Sequence, residues 1–306
     1  MSTIKNILLQ FDTDSMASSF DAVVAMDSGV DTLLQYPQVG LDNVTGLVHG
    51  AMFTRSPSKL KHTAIFVGGS NIEAAQALYQ QITKTFFGPI RVSVVMDANG
   101  CNTTSVAAVE SGFAGLWLLD ESVQYATKPI RALVMGGTGP VGQRIATLLL
   151  DRGCNVVLHT RSAEKGAAVI ERLRDVQQSG NSLELLTETG VHLQPHLSSF
   201  DLVFNASAAG VQAVDEAAMA VLANSPGVIV DLNAVPPAGI HGVASHDHAK
   251  PVGQRLVYGA LAVGAEKMKL HRAVIQACFR ANDQEFNLRE IAALNATRKA
   301  TESPTC

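Results

Sequence analysis

The chain has 306 residues, 47% of them hydrophobic and 16% charged, with a formal net charge of −4. That length exceeds one ordinary domain and fits two of average size. So apolar a chain can bury large cores and is not a disordered one, and its slight acidity excludes the basic footprint of a nucleic-acid binder.

The apolar runs, such as "NVVLHT" and "GVIVDLNA", are strand-sized and too short to span a membrane. The start, "MSTIKNILLQF", has one Lys, a short apolar run and no cleavage-like site, and reads as a first strand rather than a signal peptide. Cys101, Cys154, Cys278 and Cys306 lie far apart with no CxxC, so free thiols in a reducing cytoplasm are expected.

In chain order, the first strand candidate, "NILLQFD", runs into "DTDSMASSFD". Asp12, Thr13 and Asp14 then lie at its carboxyl end, the edge where α/β sheets bind ligands. Asp14 or Ser15 is expected to cap the next helix. The strand candidates "DTLLQY", "HTAIFVGG" and "RVSVVMDANG" follow. Between the last two, "NIEAAQALYQQITKTFF" places Ile72, Ala75, Leu78, Ile82 and Phe86 on one helical face. Polar "DESVQYATKP", Asp120 to Pro129, suits a crossing between domains. A second α/β run begins there with "IRALVMGG", "NVVLHT", "DLVFNAS" and "GVIVDLNA". From Tyr258 onward the pattern reads as helix. The predicted architecture is α/β in two domains with parallel sheets. Residues 1–127 plus about 260–306 form an N-terminal substrate domain, on which the C-terminal helices pack back. Residues 128–259 form a Rossmann-type, doubly wound nucleotide domain.

"RALVMGGTGPVGQRIATLLLDRG" carries Gly137-x-Gly139-x-x-Gly142 between an apolar strand and a helix whose Ile145, Leu148 and Leu149 share a face. This is the context a dinucleotide fingerprint requires. Gly137 would permit the tight turn, Gly139 the approach of a pyrophosphate, and Gly142 close helix–sheet packing. Thr138, Pro140 and Val141 complete the segment, with the helix N-terminus facing the phosphates. An NAD site normally ends the second strand in Asp or Glu. Here His159, Thr160, Arg161 and Ser162 stand there instead, with Lys165 close by. Arg161, Ser162 and Lys165 could hold a 2′-phosphate, so NADP is expected, with NAD also accepted. Ser162 reads equally as a helix cap. Ala206, Ser207 and Ala208 leave room for the riboses. Asn205 and Asn233 either bond the cofactor or hold turns.

The segments "LLQFDTD", "TAIFVGG", "FFGPIRVSVVMDANGCNTT", "GGTGPVG", "DLNAVPPAGI" and "KMKLHRA" resemble the NAD(P)-dependent methylene-tetrahydromethanopterin dehydrogenases of bacterial one-carbon metabolism. The resemblance runs in order over nearly the whole chain. It implies oxidation of methylene-tetrahydromethanopterin, with methylene-tetrahydrofolate as a further substrate, to the methenyl form. It also implies hydride transfer to NAD(P)⁺ on the path from formaldehyde toward formate, in a homo-oligomer, a trimer. The Tyr-x-x-x-Lys pattern of methylene-tetrahydrofolate dehydrogenases is absent, so their hydrolytic second activity is not implied.

Such a reaction needs positioning and dryness rather than a metal or nucleophile. Carboxylates at a modest distance would favour its cationic product. "DANGCNTT" supplies Asp97, Asn99, Asn102 and Thr103 in one loop, as substrate contacts or as an ordinary turn and cap. Asp14 is a further candidate to reach the pterin. In "GAEKMKLHRA", Lys267 and His271 share a helix face and Lys269 points elsewhere. In the family this segment borders the active site. Lys267 is the candidate catalytic contact and His271 a substrate contact, against the plain reading of solvated lysines. "GIHGVASHDHAKP", with His241, His246, Asp247 and His248, fits no zinc template, and no metal is expected. Two rivals stand beside this reading. One is a shikimate-dehydrogenase-like NADP enzyme, for which Lys59 and Lys61 lack a partner Asp segment. The other is a non-enzymatic NADP-binding redox sensor.

Overall fold

The computed structural model describes residues 4–120, 129–176 and 180–302. It divides into two compact units, Met1–Thr103 with Met268–Cys306, and Thr104–Lys267. The crossing foreseen at Asp120–Pro129 falls almost wholly outside the described residues.

The first unit contains strands β1 (Ile7–Asp12), β2 (Thr32–Tyr36), β3 (Thr63–Gly68) and β4 (Ser93–Met96). Helices α1 (Ser19–Asp27), α2 (Val44–Met52) and α3 (Ile72–Thr85) connect them, and α4 (Cys101–Leu119) follows β4. In the second unit, β5 (Arg131–Met135), α5 (Pro140–Asp151), β6 (Asn155–His159), α6 (Ala163–Val176) and β7 (Leu183–Leu186) come first. They are followed by α7 (Gln194–Leu197), β8 (Leu202–Asn205), α8 (Glu216–Ala223), β9 (Gly227–Asp231), β10 (Lys250–Val252) and β11 (Arg255–Tyr258). Helix α9 (Ala260–Ala277) leads to β12 (Glu285–Phe286) and α10 (Leu288–Glu302). The division between units falls within α4 and within α9; the sequence pattern had suggested 127/128 and about 260.

The first sheet has the order β12-β4-β3-β1-β2 and all its pairs are parallel. Strands β3 and β4 are buried at every residue, as a parallel sheet covered on both faces requires. Helix α3 shows why its segment folds so. Asn71 caps it by accepting from Ala74 N (3.0 Å), and Ala75, Leu78, Tyr79 and Ile82 form its buried stripe. That stripe packs in a core with Phe11, Ile65, Val94 and Met96. The C-terminal segment returns to this unit with helix and also with strand. Two residues, Glu285 and Phe286, pair with Val94 and Val95 of β4, a strand too short to show a period in sequence.

The second sheet has the order β10-β11-β9-β8-β5-β6-β7. Setting aside β10, which is antiparallel at the edge, its parallel strands follow the doubly wound order 3-2-1-4-5-6. The order reverses between β5 and β8, so a crevice opens beyond their carboxyl ends. Leu133, Met135, Val157, Val203, Ile229 and Val257 fill one face with Leu197, Phe200 and Leu222. Cys101, Cys154 and Cys278 are buried free thiols; burial pushes the Cys154 and Cys278 thiols up to about 12. No helix among the described residues is long and apolar enough to cross a membrane.

Candidate functional site

In the second unit the β5–α5 turn lies at the topological reversal. Its left-handed residue is Gly136 (φ +67°), one place before the motif's first glycine. A Cβ on Gly136 would lie 2.5 Å from the Ala206 carbonyl oxygen, so the turn presses against the end of β8. Gly137, assigned the tight turn from sequence, instead lets Leu158 of β6 approach, since a Cβ there would lie 2.4 Å from Leu158 Cγ. A Cβ on Gly142 would lie 2.5 Å from the Gly136 carbonyl oxygen, which is the close helix–turn packing the motif suggests. Gly139 is the N-cap of α5, Pro140 opens the helix, and no side chain among the described residues caps it. The first N–H groups of α5 are thus left to an anion.

Beyond this turn lies a cavity of about 680 Å³, a size suited to a small-molecule site. Thr138, Gly139, Pro140, Thr160, Arg161, Ala206, Ser207 and Ala208 line it, together with Gly136 and His159. Gly137, Val141, Gly142, Ser162, Lys165 and Asn233 do not. Ser162 is a helix cap, its Oγ accepting from Lys165 N at 3.3 Å. Arg161 is exposed at the cavity's edge. Buried His159 donates through Nε2 to the Glu188 carbonyl oxygen at 2.9 Å. Burial lowers its pKa below the ordinary histidine value, and the bond to Glu188 opposes that shift. The set fits a dinucleotide: small residues where a sugar–phosphate chain must pass, an uncapped helix start, and a cation instead of a carboxylate beside the second strand.

Asn233 has the turn-holding role. Its Oδ1 accepts from Val235 N (3.0 Å) and Gly210 N (3.3 Å), and its Nδ2 donates to the Pro237 and Val211 carbonyls at 3.4 and 3.5 Å. Asn205 donates to Asp231 Oδ1 at 2.8 Å, and Asp231 also accepts from Asn233 N and Ile240 N. Burial raises the Asp231 pKa, opposed by these bonds. The amides therefore brace the loop that contains the cis Pro236–Pro237 bond.

In the first unit, the polar residues at the carboxyl ends of β1, β3 and β4 are organised by backbone amides. Asp12 is fully buried; its Oδ1 accepts from Asp14 N and its Oδ2 from Ser18 N, both at 3.0 Å. Neither Asp14 nor Ser15 caps α1. Ser18 does, accepting from Asp21 N at 3.2 Å, because the Asp12 carboxylate folds residues 13–18 into a loop before the helix begins. Asp14 reaches β3's end instead, accepting from Ser70 N and Ser70 Oγ, each at 2.9 Å.

Asp97 is likewise buried. Its Oδ1 accepts from Asn102 N (2.9 Å) and Thr103 N (3.0 Å), and its Oδ2 from Thr103 Oγ1 (2.6 Å). Asp97, rather than Asn102, closes the start of α4. Asn102 donates through Nδ2 to the Met96 carbonyl (2.6 Å) and to Asn287 Oδ1 (3.1 Å). Asn99 is exposed and left-handed (φ 51°). His271 is buried with its ring stacked on Phe66 at 5.6 Å, and its Nδ1 lies 4.0 Å from Asp97 Oδ2. The structure thus brings Asp97, Thr103 and His271 together. Lys267 is buried while Lys269 is exposed, so a solvated-surface reading holds for Lys269 only.

The histidine loop is a strap. Asp247 accepts from Ala244 N (2.7 Å) and Lys250 Nζ (3.1 Å), and His248 packs edge-on against Tyr258. Among the described residues no group of three His, Cys, Asp or Glu could hold a metal ion. Sequence reasoning missed Gly136, His159, Thr189, Gly190, Leu193 and the 211–218 segment as cavity lining. Gly136 could have been found from the Gly-Gly pair; His159 ends β6, and the others come from the segments that follow β7 and β8, which carry no motif.

Fold and cavity together define a two-unit α/β protein with a doubly wound dinucleotide-binding unit. Residues 19–99 match the family model described as methylene-tetrahydromethanopterin dehydrogenase, N-terminal. The chain is 37% identical over 290 residues to the bifunctional protein MdtA of Methylorubrum extorquens, covering 95% of this chain and 98% of that one. It is 30% identical over 262 residues to the NAD(P)-dependent methylenetetrahydromethanopterin dehydrogenase of the same organism, covering 82% and 84%. The chain belongs to the methylene-tetrahydromethanopterin dehydrogenase family. Quinate dehydrogenase from Corynebacterium glutamicum, solved with NAD, shares the fold at 12% identity and a TM-score of 0.51, over 96% of this chain and 99% of that one.

Proposed function

We propose that this chain oxidises methylene-tetrahydromethanopterin to the methenyl form, with NADP⁺ as preferred acceptor and NAD⁺ also used. The observation that carries this reading is the glycine-turn cavity with Arg161 at its edge, in a member of an oxidoreductase family. When bound, the nicotinamide supplies the hydride acceptor. The α5 N-terminus and the glycine turn hold the pyrophosphate through backbone N–H groups. Thr160 and Arg161 receive the 2′-phosphate, and no carboxylate competes at the end of β6. In the first unit, Asp14 and Asp97 supply negative charge that favours a cationic product, while their bonds to Ser70 and Thr103 fix both carboxylates in place. His271 and Lys267 contact the pterin, with Asn99, Asn102 and Thr103 shaping its seat. Methylene-tetrahydrofolate is a second substrate of the same chemistry. The enzyme works in the cytoplasm, in formaldehyde oxidation, as a homotrimer. The exposed apolar residues Phe20, Val23 and Met26 on α1 support association between copies.

Purified protein mixed with methylene-tetrahydromethanopterin and either nucleotide should form reduced nicotinamide and the methenyl chromophore in equal amounts. No turnover with either nucleotide overturns the proposal.

A further inference from the structure

The last residue of β6 is a histidine, at the strand end where an NAD site carries the carboxylate that accepts from the ribose 2′-hydroxyl. His159 is buried and lines the cavity. Its Nε2 lies 2.9 Å from the Glu188 carbonyl oxygen, which can only accept, so Nε2 carries the proton. In the neutral ring Nδ1 is then a bare acceptor. No residue among those described bonds Nδ1, and it is not one of the buried polar atoms shut away without a partner. The open side of a buried ring that lines a cavity is the side facing it, so Nδ1 is offered to the occupant.

We infer that His159 sets the balance between the two nucleotides: neutral, its Nδ1 accepts from the ribose 2′-hydroxyl of NAD⁺, and protonated, it donates to the 2′-phosphate of NADP⁺. The inference rests on the dinucleotide reading above. Thr160 and Arg161, the next two residues, line the same cavity. The 2′-hydroxyl has a proton to give, and a lone pair takes it as a carboxylate would. The ionised 2′-phosphate only accepts and would set its oxygens against that lone pair. NADP⁺ therefore binds best once the ring gains a proton and Nδ1–H meets the phosphate. The surroundings leave the empty site neutral. Burial holds the His159 pKa below the ordinary histidine value, and Glu188, just after β7, pulls it the other way. Met135 and Leu186, its register partners on β5 and β7, carry no charge. Arg161 stands at the cavity's exposed edge and Asp215 lines it from the segment after β8, while His196 acts on Glu188.

Calorimetric titration of the wild-type chain in paired buffers of different ionisation enthalpy counts the protons taken up on binding. NADP⁺ should take up a proton near neutral pH and NAD⁺ none. The preference for NADP⁺ over NAD⁺ should rise about fivefold or more as pH falls from about 8.5 to about 6.5, since each unit by which binding raises a pKa is tenfold in affinity. A phosphate held by Arg161 alone would show the opposite trend, because its own protonation weakens that pair. His159→Gln does not titrate, so it should take up no proton and hold a flat ratio. Ring nitrogen resonances of the wild-type histidines give the same reading without a variant: one ring should become protonated as NADP⁺ is added at fixed pH, and none with NAD⁺. Binding of NADP⁺ by wild type without proton uptake, a flat ratio, or uptake undiminished in His159→Gln overturns the inference while leaving the cofactor reading intact. Failure of wild type to bind either nucleotide overturns the cofactor reading and this inference with it.

Discussion

Gly136→Ala tests how the second unit builds its cofactor turn. Gly136 has φ +67°, where an L side chain costs about 1–2 kcal/mol. The added Cβ would also meet the Ala206 carbonyl oxygen at 2.5 Å, the Ala206 carbonyl carbon at 2.6 Å and Ser207 N at 2.6 Å. All three are backbone atoms, so relief requires moving the β5 turn away from the end of β8. Overpacking of this kind costs about 1–3 kcal/mol, for a total of about 2–5 kcal/mol. The same movement opens the cavity that Gly136, Ala206 and Ser207 line. Gly153→Ala is the matched control. It has φ +81° in the same unit, and the nearest atom to its Cβ is Asn181 Nδ2 at an ordinary 3.5 Å. The control should lose only the conformational part, about 1–2 kcal/mol, and keep wild-type nucleotide affinity. Urea unfolding followed by far-ultraviolet circular dichroism, with NADP⁺ titration by fluorescence, measures both quantities. Equal destabilisation of the two variants, or unchanged NADP⁺ affinity in Gly136→Ala, would refute the assignment of turn and cavity.

Arg161→Ala should weaken NADP⁺ about 10–100-fold through loss of a charge-assisted bond, while KM for NAD⁺ barely moves; parallel changes for both nucleotides would remove Arg161 from the 2′-phosphate site. Burial lowers the His159 pKa below 6.5, so its contribution to stability is complete above about pH 6.5 and is lost as pH falls through that value, where the unfolded chain takes the proton first. His159→Gln should accordingly lose less stability than wild type between pH 7.5 and 5.5, and an identical loss would contradict the shift. Fully buried Arg255 donates to the Leu222 carbonyl (2.7 Å), the Phe200 carbonyl (2.9 Å) and Ser225 Oγ (2.8 Å), and burial lowers its pKa to about 10. Arg255→Met should cost about 2–5 kcal/mol in urea unfolding by orphaning those acceptors; wild-type stability would show that the bonds contribute nothing net.

Strands such as Thr63–Gly68 and Arg131–Met135 were legible because parallel strands buried on both faces are written as continuous apolar runs. The glycine motif was legible because backbone approach demands that residue type. Leu183–Leu186 and Lys250–Val252 were not, being short edge strands whose existence depends on a neighbour already in place. The same limit applied to site residues. Asp12, Asp97 and Asn233 looked available for ligands, yet their bonds run to amides and carbonyls that the fold, rather than local spacing, brings near. The capping of α1 was misplaced for that reason: the Asp12 carboxylate consumes the amide of Ser18 and places the helix cap four residues beyond Asp14.

Direct hydride transfer is tested most directly by isotope. Methylene-tetrahydromethanopterin carrying deuterium at both methylene positions is turned over with NADP⁺ in ordinary water, and the reduced nucleotide is weighed by mass spectrometry. Direct transfer gives reduced nucleotide heavier by one mass unit, with the second deuterium retained on the methenyl carbon. Unlabelled reduced nucleotide, with deuterium released to solvent, would contradict it.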